Sequence, residues 1–220
     1  MVALVRSELA GARRVMWAFV IAGLAVFGLM MIVGIGMRAS QAGMISLAPG
    51  YFYSLMTLHG AGMIVAMAMC GMGCLWYLMR LQAKLGEGIA WTSFALVVAG
   101  VAAVVVSVAG GHFGAAWTVL YPLPFVGATW PSWATGTFLL GYAVFTIGWL
   151  FWCVQMLGCA LQLGGGFRGA LGIDYVFRPA AFAAAGGKPP TPQGPAAPVA
   201  GAAGTLTRPP ARLARRDLPS

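Results

Sequence analysis

Only two histidines occur in the 220 residues, His59 and His112. His59 stands in "YSLMTLHGAGM", residues 53 to 63, within a long apolar run. An imidazole at such a depth needs a partner, and ionisable groups inside membrane spans are functional candidates by default. Three uses compete: a hydrogen bond to another helix, a proton relay, and ligation of a metal or of haem iron. A relay calls for acids along the same path, and the apolar runs contain none. That leaves an interhelical polar bridge or iron ligation. Gly60 and Gly62 take side chains away from the neighbourhood of the ring, as a flat macrocycle lying against a helix requires. Thr57 is placed to bond back to the backbone, and an axial histidine needs its other ring nitrogen fixed by an acceptor.

Cys70, Cys74, Cys153 and Cys159 all fall within or at the end of apolar runs. The Cys70-x3-Cys74 spacing puts two thiols on one helix face. With no further ligand nearby, they read as small buried hydrophobes and not as a metal pair.

The elements that must position these groups follow from composition. Hydrophobic residues make up 60% of the chain and charged residues 8%, far from the balance of a soluble domain. The sequence therefore predicts an all-α integral membrane protein, since a helix satisfies its own backbone in lipid. Four runs reach the roughly 20 residues needed to cross, at about 15–37, 51–79, 89–109 and 133–161. They divide the chain into an N-terminal segment, 1–14, a four-helix region, 15–161, a connector, 162–179, and an Ala/Pro/Gly-rich tail, 180–220, expected to be disordered. The first run begins only after Arg13 and Arg14 and is too long for a signal h-region, so it is expected to stay as an anchor. Small residues in the second run, Gly60, Gly62, Ala66, Gly71 and Gly73, are expected to serve close helix packing.

The formal charge of +9 would suggest nucleic acid for a soluble chain. Here the basic residues sit in loops and tail, so they set topology, and no nucleic-acid partner is expected. Arg6, Arg13 and Arg14 precede the first run, Arg80 and Lys84 separate the second from the third, and Arg168 to Arg216 follow the fourth. The positive-inside rule then puts both termini in the cytoplasm of a multi-pass protein. Tyr51, Tyr53, Trp117, Tyr121, Trp130 and Trp133 mark the outer side and Trp76, Tyr77 and Trp91 the inner, most of them reading as interfacial anchors. The uncharged loop 110–125, "GGHFGAAWTVLYPLPF", reads as a folded cap.

At this point the residues resemble a family. "YFYSLMTLHG" is similar to the second-helix motif of subunit I of the haem-copper terminal oxidases, the cytochrome c and quinol oxidases. "GIGMRASQAG" ends the first helix with an arginine as many members do, and "AAWTVLYPLPF" resembles their outer loop between helices 3 and 4. The resemblance implies that His59 is an axial ligand of a low-spin haem of a or b type. It also implies that Arg38, Trp117 and Tyr121 lie at the haem periphery. Two departures stand beside it: Tyr-Pro-Pro has become "LYPLP", and no acid follows Arg38.

The four helices would correspond to the first third of a twelve-helix bundle. The family's copper ligands, high-spin haem ligand and second low-spin ligand lie on later helices, so this chain carries no oxygen-reducing residues of its own. The resemblance thus implies part of a respiratory, proton-translocating oxidoreductase of a bacterial-type inner membrane. It would be either a truncated or frameshifted product or one half of a split subunit. Its partners would be other oxidase subunits, a chain supplying the missing helices, membrane lipid, and cytochrome c or quinol as electron donor. The competing expectation is a non-redox four-helix assembly or packing protein in which His59 only bridges helices. A site pairing His59 with His112 is a further possibility.

Overall fold

The computed structural model describes residues 2–115, 130–164 and 166–177, the side chains of 2–8 and 174–175 excepted. Four long helices dominate: α1 (Val2–Gln41), α2 (Pro49–Arg80), α3 (Glu87–Val105) and α4 (Ser132–Gly164). α3 runs on through a π turn, Val106–Gly110, and two short helices follow α4, α5 (Phe167–Ala170) and α6 (Ile173–Phe177). No strand occurs among the described residues. Four segments, Leu9–Gln41, Pro49–Arg80, Glu87–Gly110 and Ser132–Gly164, are long and apolar enough to cross a membrane. The chain is thus an all-helical, multi-pass membrane protein. Each helix extends past its apolar run, because helical hydrogen bonding continues after hydrophobicity has ended. α3 accordingly includes Glu87, whose carboxylate lies against Gly11 of α1. The expected disordered tail, 180–220, lies outside the described residues, as do Trp117 and Tyr121.

The turns are written locally. Gly43 (φ +73°) closes α1 in the left-handed conformation that glycine adopts freely. Its N–H donates to the Ser40 carbonyl at 3.1 Å while the Met44 N–H donates to that of Ala39 at 2.9 Å. Those two bonds make a Schellman closure and satisfy the orphan carbonyls of the last turn. Pro49 then opens α2 within its first turn, where a missing N–H costs nothing.

The helices pack chiefly as two antiparallel pairs, α1 with α2 and α3 with α4. Small residues set the seams. A Cβ on Gly100 of α3 would stand 2.6 Å from the Gly141 carbonyl oxygen, and one on Gly148 of α4 would stand 2.9 Å from the Val97 nitrogen. A Cβ on Gly23 would stand 3.0 Å from the Ala66 carbonyl, and one on Gly73 would meet Met16 and Phe19 of α1 at 2.9 and 2.8 Å. Close packing is therefore the role of Gly62, Ala66 and Gly73, as expected. Gly71 is different, since a Cβ there meets nothing within 4 Å.

Two buried clusters fill the bundle, one at each end. The first gathers Ala12, Leu85 and Cys159 around Trp76 and so joins the start of α1, the α2–α3 connection and the end of α4. The second joins Met30, Leu58, Phe113 and Phe138 at the other end. Trp76 corrects an expectation: it is fully buried and is no interfacial anchor. Its indole Nε1–H donates to Oε1 of the buried Gln155 at 2.7 Å, and Gln155 Nε2 donates to the Gly86 carbonyl at 2.8 Å. Trp91, Trp133, Tyr51 and Tyr53 are exposed, as anchors are. Among the cysteines, Cys159 is buried as expected, whereas Cys74 is exposed and Cys70 and Cys153 are half-buried, all with free thiols.

Candidate functional site

Among the described residues, α1, the turn after it and α2 build the surroundings of His59. The ring is half-buried, and its Nδ1–H donates to the backbone carbonyl of Met30 in α1 at 2.8 Å. A carbonyl only accepts, so in the neutral imidazole the proton sits on Nδ1 and Nε2 keeps its lone pair. α1 comes this close because residue 34 is glycine: a Cβ there would lie 2.9 Å from His59 Cε1 and 3.4 Å from Nδ1.

His59 borders an open groove of about 750 Å³, within the roughly 300–1,000 Å³ of small-molecule sites. Met31, Gly34, Ile35 and Arg38 of α1 line it, with Met63 one turn beyond His59 on α2. Arg38 is exposed at its rim, and its Nη1 donates to Gln41 Oε1 at 2.8 Å, which orients the guanidinium. Arg38 and His59, 21 positions apart in sequence, thus share one groove. Such a place suits a flat, largely apolar ligand with an anionic edge, which one nitrogen donor can hold from the wall. Among the described residues no three of His, Cys, Asp and Glu come together to hold a bare ion.

Other expected features separate from this place. Gly62 does not border the groove, because the Met30 side chain occupies the space a Cβ there would take. Thr57 does bond backwards, its Oγ1 donating to the Tyr53 carbonyl at 2.9 Å, but the acceptor that fixes the His59 ring is Met30. His112 is exposed, with φ 54°, and its ring meets Tyr51 edge-on at a centroid distance of 5.6 Å. Its carbonyl accepts from Ser54 Oγ at 2.7 Å, tying the end of the π turn to the start of α2. His112 does not line the His59 groove, so the two histidines are not paired there.

Sequence reasoning passed over Met30 and Gly34. The Met30 contribution is a backbone carbonyl, which no residue type announces. Gly34 left a weak signal, standing one turn before Arg38 on the same helix face.

Comparisons with curated proteins and with solved structures return no match. A family model does match, described as cytochrome c and quinol oxidase polypeptide I, over residues 14–175. The match takes in α2, α3 and α4 whole and α1 from residue 14 onward, and so includes every residue of the groove. On that extent the chain belongs to the cytochrome c and quinol oxidase polypeptide I family.

Proposed function

We propose that the chain forms the low-spin haem side of a respiratory haem-copper oxidase subunit I, with His59 as an axial ligand. The observation that carries the reading is the lone-pair nitrogen of His59 beside a groove that shares Arg38. When bound, a low-spin haem supplies one-electron transfer, here from cytochrome c or quinol towards an oxygen-reducing centre, coupled to proton translocation in the intact complex. His59 Nε2 would hold the iron. The Met30 carbonyl fixes the ring and, by accepting from Nδ1–H, raises its basicity as a ligand. Arg38, steadied by Gln41, offers a cation to carboxylates on the edge of the macrocycle. Missing from these residues is a third histidine, so the second axial position and the copper and high-spin haem ligands would come from polypeptide beyond these 220 residues.

Localisation follows the charges, in a bacterial-type inner membrane with both termini cytoplasmic. Membranes from cells making the chain with its operon partners should show a low-spin haem spectrum that His59→Ala abolishes. A haem signal indifferent to that substitution would sink the reading.

One observation favours a second reading. The His59–Met30 hydrogen bond is also what an interhelical bridge in a non-redox packing protein would make. That reading expects no haem with any partner and only a modest loss of stability in His59→Ala, about 1 kcal/mol.

A further inference from the structure

α1 meets the His59 ring at position 30 and the groove beside it at positions 34 and 38, and steps of four keep successive positions on one helix face. Position 30 gives a carbonyl to Nδ1–H, position 38 gives a guanidinium at the rim, and position 34 gives an absence. We propose that Gly34 is a positioning residue for His59. By carrying no side chain it lets the edge of the imidazole lie against α1, so that Nδ1–H reaches the Met30 carbonyl and Nε2 is left as the coordinating atom. Its meaning for haem rests on the axial-ligand reading above; the ring orientation does not.

The sterics are specific to the ring. A Cβ on Gly34 has as its three nearest neighbours His59 Cε1, Nδ1 and Nε2, at 2.9, 3.4 and 3.6 Å. The first distance is too short to persist. What must yield is a rigid five-membered ring held at one corner by a 2.8 Å hydrogen bond. Such a ring gives way by turning, and turning lengthens or bends that bond, which weakens steeply with misalignment. Gly28 and Gly36 of the same helix supply matched controls, because a Cβ on either meets nothing within 4 Å. Glycine is intrinsically poor in a helix, so alanine at those two positions is neutral or favourable. Across the seam, Gly62 meets Met30 through its flexible thioether, and that side chain can move aside.

The experiment is a double-mutant cycle on the full chain in lipid nanodiscs, with 15N-histidine NMR as a second readout. Gly34→Ala should lower the melting temperature by several degrees in the otherwise native chain and leave it unchanged in a His59→Ala background. The His59 nitrogen signals should report an Nδ1–H tautomer in the native chain and in Gly36→Ala, and should shift in Gly34→Ala. Where haem copurifies, Gly34→Ala should displace its low-spin g values while Gly36→Ala does not. Equal melting losses in both backgrounds, or His59 nitrogen signals untouched by Gly34→Ala, would overturn the proposal. If Gly34→Ala alone fails to fold, the double variant should still fold, since the ring is gone; failure of both counts against it. Should the nitrogen signals move while haem is indifferent to His59→Ala, the positioning role stands and the axial-ligand reading falls.

Discussion

A polar ring in lipid is answered at His59 by a backbone, and that division explains what was readable at this scale. His59 and Arg38 stood out because histidine and arginine are rare in apolar runs, and the structure puts both on one groove. The Met30 carbonyl was invisible because every residue has one; only the approach of two helices selects it. With a haem in the groove, Arg38→Ala removes a cation that disfavours the oxidised iron. The midpoint potential should fall, by up to about 59 mV, a tenfold change in a one-electron equilibrium, as redox titration of the low-spin haem would register. Ser54 offers a test five positions before His59 on α2. It is buried and donates to the His112 carbonyl at 2.7 Å, so Ser54→Ala should cost about 1 kcal/mol in thermal unfolding and leave the His59 groove as it is.

Element by element, existence was easier to read than extent. Four apolar runs gave four helices, since lipid leaves the backbone little choice. Their ends were harder, because α1 and α3 continue through charged residues where hydropathy falls but hydrogen bonding does not. The π turn at Val106–Gly110 had no signature in the apolar run. It is anchored by Ser107, whose Oγ donates to the Ala134 carbonyl at 2.6 Å. Glycines showed that packing would be close without showing which of them carry it: Gly100, Gly141 and Gly148 are crossed by backbone, whereas Gly71 and Gly36 look onto open space. Backbone does not move aside as a side chain does. Gly100→Ala should therefore destabilise the α3–α4 pair by roughly 1–3 kcal/mol, and Gly36→Ala should not, as denaturant titration in detergent can establish.

Taken whole, the molecule is two helix pairs joined at one end by a buried polar chain, Trp76 to Gln155 to the Gly86 carbonyl. Sequence reading took Trp76 for an interfacial anchor because tryptophans at span ends usually are; its partner lies 79 residues away, beyond the reach of local pattern. Gln155→Leu leaves the buried indole N–H without its partner, whereas the Gly86 carbonyl keeps the Ala90 N–H, and should lower stability by about 1–3 kcal/mol and loosen the pairs, which tryptophan emission reports as a shift in wavelength. The same joint brings the start of α1 and the end of α4 to one side of the bundle, where the charge bias predicts cytoplasm. A fluorescent-protein fusion after residue 220 should accordingly mature and fluoresce, and an alkaline phosphatase fusion there should stay inactive. The described lining of the His59 groove, by contrast, takes nothing from the second pair. Every residue lining it lies between Met31 and Met63. A chain made from its N-terminus at some 5–20 residues per second has therefore finished this wall of the groove once α2 has entered the membrane, before α3 and α4 leave the ribosome. Cofactor loading, on this order of events, need not wait for the rest of the polypeptide to be translated.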